Sequence, residues 1–144
     1  MNAVDTNILV YASRADSPWH ARADAALTAL AESLEPWAIP WPCVCEFLAV
    51  VTNPRIYRPA TPPAVALQQV SDWLESPHLV LLSESPGFMP TLAQTIRRGA
   101  VVGSAIHDAR IAALCIHHGV DRLLTADRDF TRFPQLRTAN PLVQ

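Results

Sequence analysis

The amino-acid sequence predicts an α/β fold in which a mostly parallel central sheet is flanked by helices, giving three layers. Two observations support this fold class. Short apolar segments of strand length alternate with longer segments of helical periodicity, and the connections between them are short. The 144 residues suit one domain, residues 1–144, with a sizeable core.

The first strand is predicted at Ala3-Val4, where two small apolar residues lead directly to Asp5. An apolar helix follows at once. Ser17-Pro18 then has the pattern of an N-cap followed by proline, and predicts an alanine-rich helix ending near Pro36. The apolar run Trp37-Ala38-Ile39 predicts the second strand.

Pro42 begins the next predicted helix, Cys43 to about Asn53, in which Glu46 is the only charge. Residues 54–63 form an irregular connection that carries a tyrosine between two arginines. The remaining elements are expected in this order: a helix from Thr61-Pro62, a buried strand at His78–Leu82, a helix capped by Ser85-Pro86 that ends at Arg97-Arg98-Gly99, a helix capped by Ser104 that ends at Gly119, a strand at Arg122–Thr125, and an edge strand within Arg137–Gln144.

The composition predicts a cytoplasmic protein with an interaction surface. Half of the residues are hydrophobic and only 17% are charged, against about 25% in typical domains, so we expect a partner, such as a second copy in a homodimer, to cover apolar surface. The apolar runs are shorter than the roughly 20 residues that a membrane span needs. No export signal is recognisable at the amino terminus.

The cysteines and the charges are less informative. Cys43, Cys45 and Cys115 lie in apolar segments and are expected to be reduced thiols of the core. The pair Cys43 and Cys45 could supply half of a zinc site, but no second pair with ligand spacing completes it. The net charge is −2, and all 11 basic residues are arginine, which suits phosphate contacts but equally follows from biased base composition.

Four acidic residues occupy positions that the local pattern would bury. Asp5 and Asp127 follow predicted strands, Glu46 lies on a helix that is apolar almost all round, and Asp108 shares a helix face with apolar residues three, four and seven positions later. Buried carboxylates are costly unless they are paired or bound to a cation. The nearby arginines are too few to neutralise four acids, so a hard divalent cation such as Mg²⁺ or Mn²⁺ is the expected partner.

Each acid also has a structural interpretation. Asp108 could interact with the dipole of its helix from the first turn. Asp127 and Asp129 could be ordinary turn residues after a strand. Asp5 could cap the following helix. Glu46 is the hardest of these acids to explain structurally. The functional interpretation therefore depends on the whole set, which one edge of a sheet could bring together.

The acidic segments resemble the four acidic blocks of PIN-domain ribonucleases, in the order of that family: Val4-Asp5-Thr6-Asn7-Ile8-Leu9, Cys45-Glu46-Phe47, His107-Asp108-Ala109-Arg110-Ile111-Ala112-Ala113 and Leu124-Thr125-Ala126-Asp127-Arg128-Asp129-Phe130. The closing Phe133-Pro134-Gln135-Leu136-Arg137 resembles the VapC toxins of bacterial toxin–antitoxin pairs. Each block alone is a weak signal, whereas the ordered set is specific.

The resemblance implies a PIN-like fold and a Mg²⁺- or Mn²⁺-dependent endoribonuclease whose partners are RNA and a cognate antitoxin. It implies that Asp5, Glu46, Asp108 and Asp127 are the catalytic and metal-binding residues. Thr125 matches a hydroxyl position beside such sites, and the role of Asp129 is left open. Arginines at the rim are expected to hold the RNA backbone, with these candidates: Arg14, Arg55, Arg58, Arg98 and Arg110.

Three other functions are less compatible with the sequence. A phosphoacceptor signalling domain needs a lysine after its last strand, and the chain has none. An aspartyl phosphatase usually has Asp-x-Asp after its first strand, but Asn7 stands at the third position here. A non-catalytic PIN-like module that acts only through its protein partner would not need the intact acid set. The pair His117-His118 lies at the far end of its helix from Asp108 and is interpreted as a helix-end pair rather than as ligands.

Overall fold

The structure is a computed structural model and describes residues 1–143. Within these residues, five parallel strands form one sheet at the centre of the molecule. The strands are β1 (Asn2–Val4), β2 (Trp37–Pro40), β3 (Leu79–Leu82), β4 (Arg122–Leu124) and β5 (Thr138–Ala139), in the spatial order β3-β2-β1-β4-β5. All four pairings are parallel. The predicted parallel sheet is confirmed, including the edge strand in the carboxyl-terminal segment.

Within residues 1–143, six helices connect the strands, as the predicted α/β fold requires. They are α1 (Thr6–Ser13), α2 (His20–Glu32), α3 (Trp41–Val51), α4 (Pro63–Leu74), α5 (Phe88–Gly99) and α6 (Ile106–His117). Two short 3₁₀ turns, Gly103–Ala105 and Arg128–Arg132, precede α6 and follow β4. Within residues 1–143, none of the helices combines the length and the hydropathy that a bilayer span requires.

The strand order places β1 at a topological switch point. The chain runs from β1 outward through β2 to β3, and then returns to the other side of β1 with β4. In parallel sheets, ligands bind outside the carboxyl ends of the strands at such a point. The central strand is fully buried at Ala3 and Val4, and Ala3 pairs with Ala38 and with Leu123 on either side. Its next residue, Asp5, therefore lies at the middle of that edge.

Three predicted helix starts were wrong. Helix α2 begins at His20, and Ser17 accepts a hydrogen bond from the backbone N–H of Trp19 within the preceding turn instead of capping the helix. Ser104 belongs to the 3₁₀ turn before α6, and the residue that precedes α5 is Gly87, with φ +87°. A local hydrogen bond of a serine serves a turn as well as a helix, so the residue type alone does not locate the start. The predicted end of α6 at Gly119 agrees with the structure, because the chain leaves that helix through this glycine at φ +69°.

Two burial predictions also need correction. The strand at residues 79–82 is not buried along its length, because it forms the edge of the sheet and Val80 is 41% exposed. Cys45 is exposed on α3, whereas Cys43 and Cys115 are buried as expected. All three cysteines are free thiols. Because Cys43 is buried and Cys45 exposed, the two residues do not face a common site.

Candidate active site

The carboxyl ends of β1 and β4 form the floor of the candidate site. Asp5 directly follows β1, and its backbone N–H donates to the carbonyl oxygen of Leu124 at 3.0 Å, which continues the pairing of the two strands. Thr125 and Asp127 follow β4. Residues that are more than 100 positions apart in the sequence thus meet at one point of the sheet edge.

A cavity of about 340 Å³ opens at this edge. All four acids predicted from the sequence line it: Asp5, Glu46, Asp108 and Asp127. Asp5 follows β1 and Asp127 follows β4. Glu46 lies on α3, and Asp108 lies in the first turn of α6. The structure therefore brings the predicted set together in one cavity.

Asp5 is the most enclosed of these acids, with 4% of its surface exposed. Its carboxylate accepts hydrogen bonds from the Thr125 hydroxyl at 2.7 Å, from the backbone N–H of Thr6 at 2.8 Å and from the Asn7 side chain at 3.3 Å. Burial raises the pKa of Asp5 to about 6, against the lowering effect of the bonds from Thr125 and Thr6. Asp5 is also the N-cap of α1, which confirms its structural interpretation, and the same carboxylate lines the cavity.

Glu46 is exposed, which corrects the expectation that its helix would bury it. The apolar side chains of α3 that are buried in the core include Cys43 and Phe47, whereas the side of the helix that carries Glu46 faces the open cavity. The carboxylate accepts a hydrogen bond from the Thr6 hydroxyl at 3.2 Å. Glu46 thus contributes a solvent-accessible carboxylate rather than a buried one.

Three of the aspartates form a tighter group. One carboxylate oxygen from each of Asp108, Asp127 and Asp129 lies within 4.8 Å of the other two. Asp108 and Asp127 are half-buried, and Asp129 is exposed. Burial raises the pKa of Asp108, and the negative charges of Asp127 and Asp129 raise it further. The role of Asp129 was open from the sequence alone, and the structure adds this residue to the acidic group.

Comparisons with known proteins identify the family. A family model described as "PIN domain" matches residues 3–136. The chain belongs to the PIN-domain family. It is 36% identical to "VapC ribonuclease Mb2897" of Mycobacterium bovis over 142 residues, which cover 99% of this chain and 96% of the relative. It is 28% identical to "Ribonuclease VapC48" of Mycobacterium tuberculosis over 137 residues, 95% of this chain and 94% of the relative. The chain is thus a VapC-type PIN domain.

Solved structures support the same fold. The chain resembles a structure of VapBC2 from Rickettsia felis bound to a DNA fragment, with a TM-score of 0.70 and 20% identity over 96% of this chain and 97% of the other. It resembles FitAcB from Neisseria gonorrhoeae with the same TM-score and 19% identity, over 100% of both chains. At these identities the likeness shows the fold alone.

The donor set of this PIN domain fits a hard divalent cation. Ion pairs within residues 1–143 join the amino terminus to Asp121, Arg14 to Asp16 and Arg110 to Glu84, and none includes an acid of the cavity. The cavity acids offer carboxylate oxygens without a cationic side chain as a bonded partner. Oxygen ligands of this kind are those that Mg²⁺ and Mn²⁺ prefer.

The other half of the cavity was not foreseen from the sequence. It is lined by apolar and aromatic side chains: Val10, Tyr11, Val50, Ile56 and Tyr57. The two tyrosines are the only ones in the chain. They lie on α1 and on the connection before α4, so a signal for their proximity would have required the packing of these segments to be known.

The two adjacent histidines have contacts away from the acids. His117 Nε2 lies 2.7 Å from the Ser85 hydroxyl, and His118 Nε2 lies 2.8 Å from the carbonyl oxygen of Ser83. Both contacts tie the end of α6 to the connection between β3 and α5. This agrees with the interpretation of the histidines as a helix-end pair.

Proposed function

We propose that the protein is a Mg²⁺- or Mn²⁺-dependent endoribonuclease, the toxin of a type II toxin–antitoxin pair, acting in the cytoplasm. It hydrolyses RNA phosphodiester bonds with water as the nucleophile. The observation that carries this proposal is the convergence of four carboxylates in one cavity, none of which is bonded to a basic residue in the described part of the chain. Membership in the VapC ribonucleases supports it.

The metal-binding residues follow from the two parts of the acidic set. Asp108 and Asp127 would hold the cation together with Asp129, whose oxygen lies within the same 4.8 Å group. Asp5 and Glu46 would bind it directly or through water from the other side of the cavity. A bound divalent cation supplies Lewis acidity toward a phosphoryl oxygen and lowers the pKa of a coordinated water.

The residues of the chain itself orient the reacting groups. Thr125 holds the Asp5 carboxylate in place, and the same hydroxyl accepts the backbone N–H of Asp127 at 3.0 Å. Asp127 would orient the attacking water and receive its proton. The Asp127 carboxylate itself accepts the backbone N–H of Asp129 at 2.8 Å, and a carboxylate positioned by such a bond does not have to reorganise during the reaction.

Among the arginines proposed to contact RNA, some already form ion pairs within the protein and others do not. Arg14 and Arg110 are occupied by Asp16 and Glu84. Arg55 and Arg58 are exposed on the connection that also carries Tyr57 at the cavity wall. We assign these two to the RNA backbone, because phosphate contacts position a substrate without reading its sequence.

Two protein partners complete the proposal. The structural neighbours include complexes named VapBC and FitAB, and by analogy an antitoxin would cover the cavity and present an arginine to its carboxylates. The chain would also form a homodimer that buries part of its exposed apolar surface, which includes these side chains: Trp41, Val65, Leu67, Leu74 and Val80. A monomeric mass by light scattering at micromolar concentration would contradict the dimer. Free access of RNA in the antitoxin complex would contradict the covering role.

Cleavage of total cellular RNA tests the enzymatic proposal. The purified protein should cut a narrow set of RNAs in Mg²⁺ or Mn²⁺, and EDTA should stop the reaction. Asp108→Asn should lose most of the activity, because the amide is a poorer ligand of nearly the same shape. The matched control, Asp24→Asn, changes an exposed aspartate on α2 and should remain active. If wild type cuts no RNA under any of these conditions, a non-catalytic module acting through its partner is the better description.

A further inference from the structure

The catalytic cavity has an apolar wall that a hydrated metal ion and its carboxylates do not use. We define this apolar wall as Val10, Tyr11, Val50, Ile56 and Tyr57. The wall and the acids line the same 340 Å³ space. Ile56 is 54% exposed, so the wall reaches the rim of the cavity. A ligand that fits the whole cavity must therefore combine a charged part with a flat or apolar part.

Tyr57 is held in place by the backbone of its own connection. Its N–H and that of Ile56 both donate to the carbonyl oxygen of Asn53 at 3.0 Å. Further along, the N–H of Thr61 donates to the carbonyl oxygen of Val51 at 2.8 Å and ties the connection back to the end of α3. These bonds fix the backbone on both sides of Tyr57, and a ring placed in advance loses little freedom when a ligand stacks on it.

Arg14 supports the Tyr57 ring from outside the cavity. Its guanidinium carbon lies 4.3 Å from the ring centroid, within the range of a cation–π contact. The same guanidinium donates to both carboxylate oxygens of Asp16, at 2.9 and 2.6 Å, and to the carbonyl oxygen of Pro59 at 2.9 Å. Arg14 does not line the catalytic cavity, whereas Tyr57 does. The arginine is therefore fully engaged in holding the ring rather than available for the substrate.

We propose that the apolar wall is a subsite for one unstacked nucleobase of a single-stranded RNA, with the ring of Tyr57 as its stacking surface. The inference rests on the proposed ribonuclease function. A phosphodiester placed at the acids carries its neighbouring ribose and base into the same cavity, where the wall, together with Ile111, provides the apolar lining. Every nucleobase has a π-face, so such a subsite selects for an unpaired nucleotide more than for a particular base.

The charges around the wall favour RNA over an apolar peptide side chain as its occupant. Arg55 and Arg58 are exposed on either side of Tyr57 in the sequence, and neither forms an ion pair within residues 1–143. They can contact the phosphates that flank the stacked base. A base-paired nucleotide keeps its base within the duplex stack and cannot reach the wall, so the subsite predicts cleavage in loops or single strands.

An oligoribonucleotide that spans a cut site mapped with the wild-type protein tests this subsite. Three versions are compared: the parent, one without the base on the 5′ side of the cut, and one without the base on the 3′ side. Tyr57→Ala should lower kcat/KM on the parent by about 5- to 100-fold, the range expected for one lost base–aromatic stack. Tyr57→Phe should retain the parent value, because it keeps the ring. Trp19→Ala, which removes an exposed aromatic side chain outside the cavity, is the matched control.

The decisive result is the coupling between the protein and the RNA. With the wild-type protein, one of the two abasic oligonucleotides should lower kcat/KM as much as Tyr57→Ala lowers it on the parent. The same oligonucleotide should not lower the kcat/KM of Tyr57→Ala any further. If Tyr57→Ala does not fold, Tyr57→Leu replaces it in this test, because leucine keeps most of the apolar volume. Its kcat/KM should likewise be no lower on the abasic oligonucleotide than on the parent. If the loss in kcat/KM caused by Tyr57→Ala and the loss caused by the missing base simply multiply, Tyr57 is structural and the subsite is overturned.

Two other outcomes assign the failure elsewhere. Unchanged cleavage by Tyr57→Ala, together with weaker inhibition by the antitoxin, would assign the wall to the protein partner and overturn the nucleobase subsite alone. A wild-type protein that cuts no RNA would overturn the proposed function and, with it, this inference.

Discussion

The hydroxyl of Thr125 donates a 2.7 Å hydrogen bond to Oδ2 of Asp5 and thereby joins the carboxyl ends of β4 and β1. The same oxygen accepts the backbone N–H of Asp127 at 3.0 Å. One hydroxyl therefore orients the carboxylate of Asp5 and holds the backbone of Asp127, two cavity residues that follow different strands. Its bond to Asp5 lowers the pKa of a carboxyl group whose burial raises it.

Replacing Thr125 by valine should weaken both activity and stability. The valine has nearly the same shape but leaves the Asp5 carboxylate with one donor fewer, so the pKa of Asp5 should rise above about 6. We expect at least a tenfold loss of RNA cleavage, and a loss of about 1–3 kcal/mol in the free energy of unfolding. Urea denaturation and cleavage assays measure the two effects. Thr125→Ser keeps the hydroxyl, so its cleavage rate and free energy of unfolding should stay close to those of wild type. Equal values for the valine and serine variants would contradict the role of this bond.

The metal-free protein should lose stability as the pH rises from about 4 to about 6. The pKa of Asp5 is raised from 3.8 to about 6 in the folded protein, so the native state binds more protons than the unfolded state in this window. The stabilisation is complete below the unfolded pKa and is lost as the pH rises through the folded pKa of about 6, a total change of roughly 3 kcal/mol. Urea denaturation in EDTA at closely spaced pH values checks this. Asp5→Asn has no carboxyl group to titrate and should show a smaller slope.

Asp108→Asn should raise the melting temperature in EDTA while it abolishes cleavage in Mg²⁺. Burial and the charges of Asp127 and Asp129 disfavour the ionised form of Asp108, and its side chain accepts no hydrogen bond within residues 1–143. Removing its charge therefore relieves repulsion without breaking a bond. We expect a shift of a few degrees at pH 7.5, which saturating Mg²⁺ should narrow or reverse because the ion stabilises folded wild type. A lower melting temperature in EDTA would mean that Asp108 is structural.

Asp129→Asn should increase the Mg²⁺ concentration needed for half-maximal cleavage. The Asp129 carboxylate lies in the same 4.8 Å group as those of Asp108 and Asp127, so its loss removes one oxygen ligand or one water-mediated contact. We expect roughly a tenfold increase, with less effect at saturating Mg²⁺, as for the loss of an outer partner of a metal site. A metal titration of cleavage rates measures this change. The control is Asp72→Asn, on the exposed side of α4. An unchanged titration would remove Asp129 from the site.

Gly99→Ala should destabilise the fold without touching the cavity. A Cβ atom at Gly99 would lie 2.6 Å from Cε1 of Phe133, whose side chain is 99% buried and has little room to move. Overpacking of this kind costs about 1–3 kcal/mol, which corresponds to a fall of several degrees in Tm. Thermal unfolding measures the effect. Gln94→Ala changes an exposed position of the same helix and should leave Tm nearly unaltered.

Local sequence patterns were enough to predict the fold class and the acids of the cavity. Alternation of strand-length and helix-length apolar segments is a local property, so it predicted the parallel sheet and its α/β layers. The placement of Asp5 and Asp127 after strands was equally local, because the carboxyl ends of parallel strands share one edge. Glu46 and Asp108 were singled out by the apolar residues around them on their helices, and the family resemblance then joined all four acids in one site. Helix starts were less predictable, because a serine such as Ser17 can bond to a turn as readily as to a helix.

The arrangement of the side chains around these acids depends on contacts between distant parts of the chain. The bond between Thr125 and Asp5 joins residues 120 positions apart, and it depends on β4 returning to pair with β1. Tyr11 and Tyr57 meet in one wall because α1 and the connection before α4 line the same cavity. The exposure of Glu46 depends equally on which side of α3 the other elements cover. Local periodicity contains no information on such long-range contacts, since they arise from the packing of whole elements against each other.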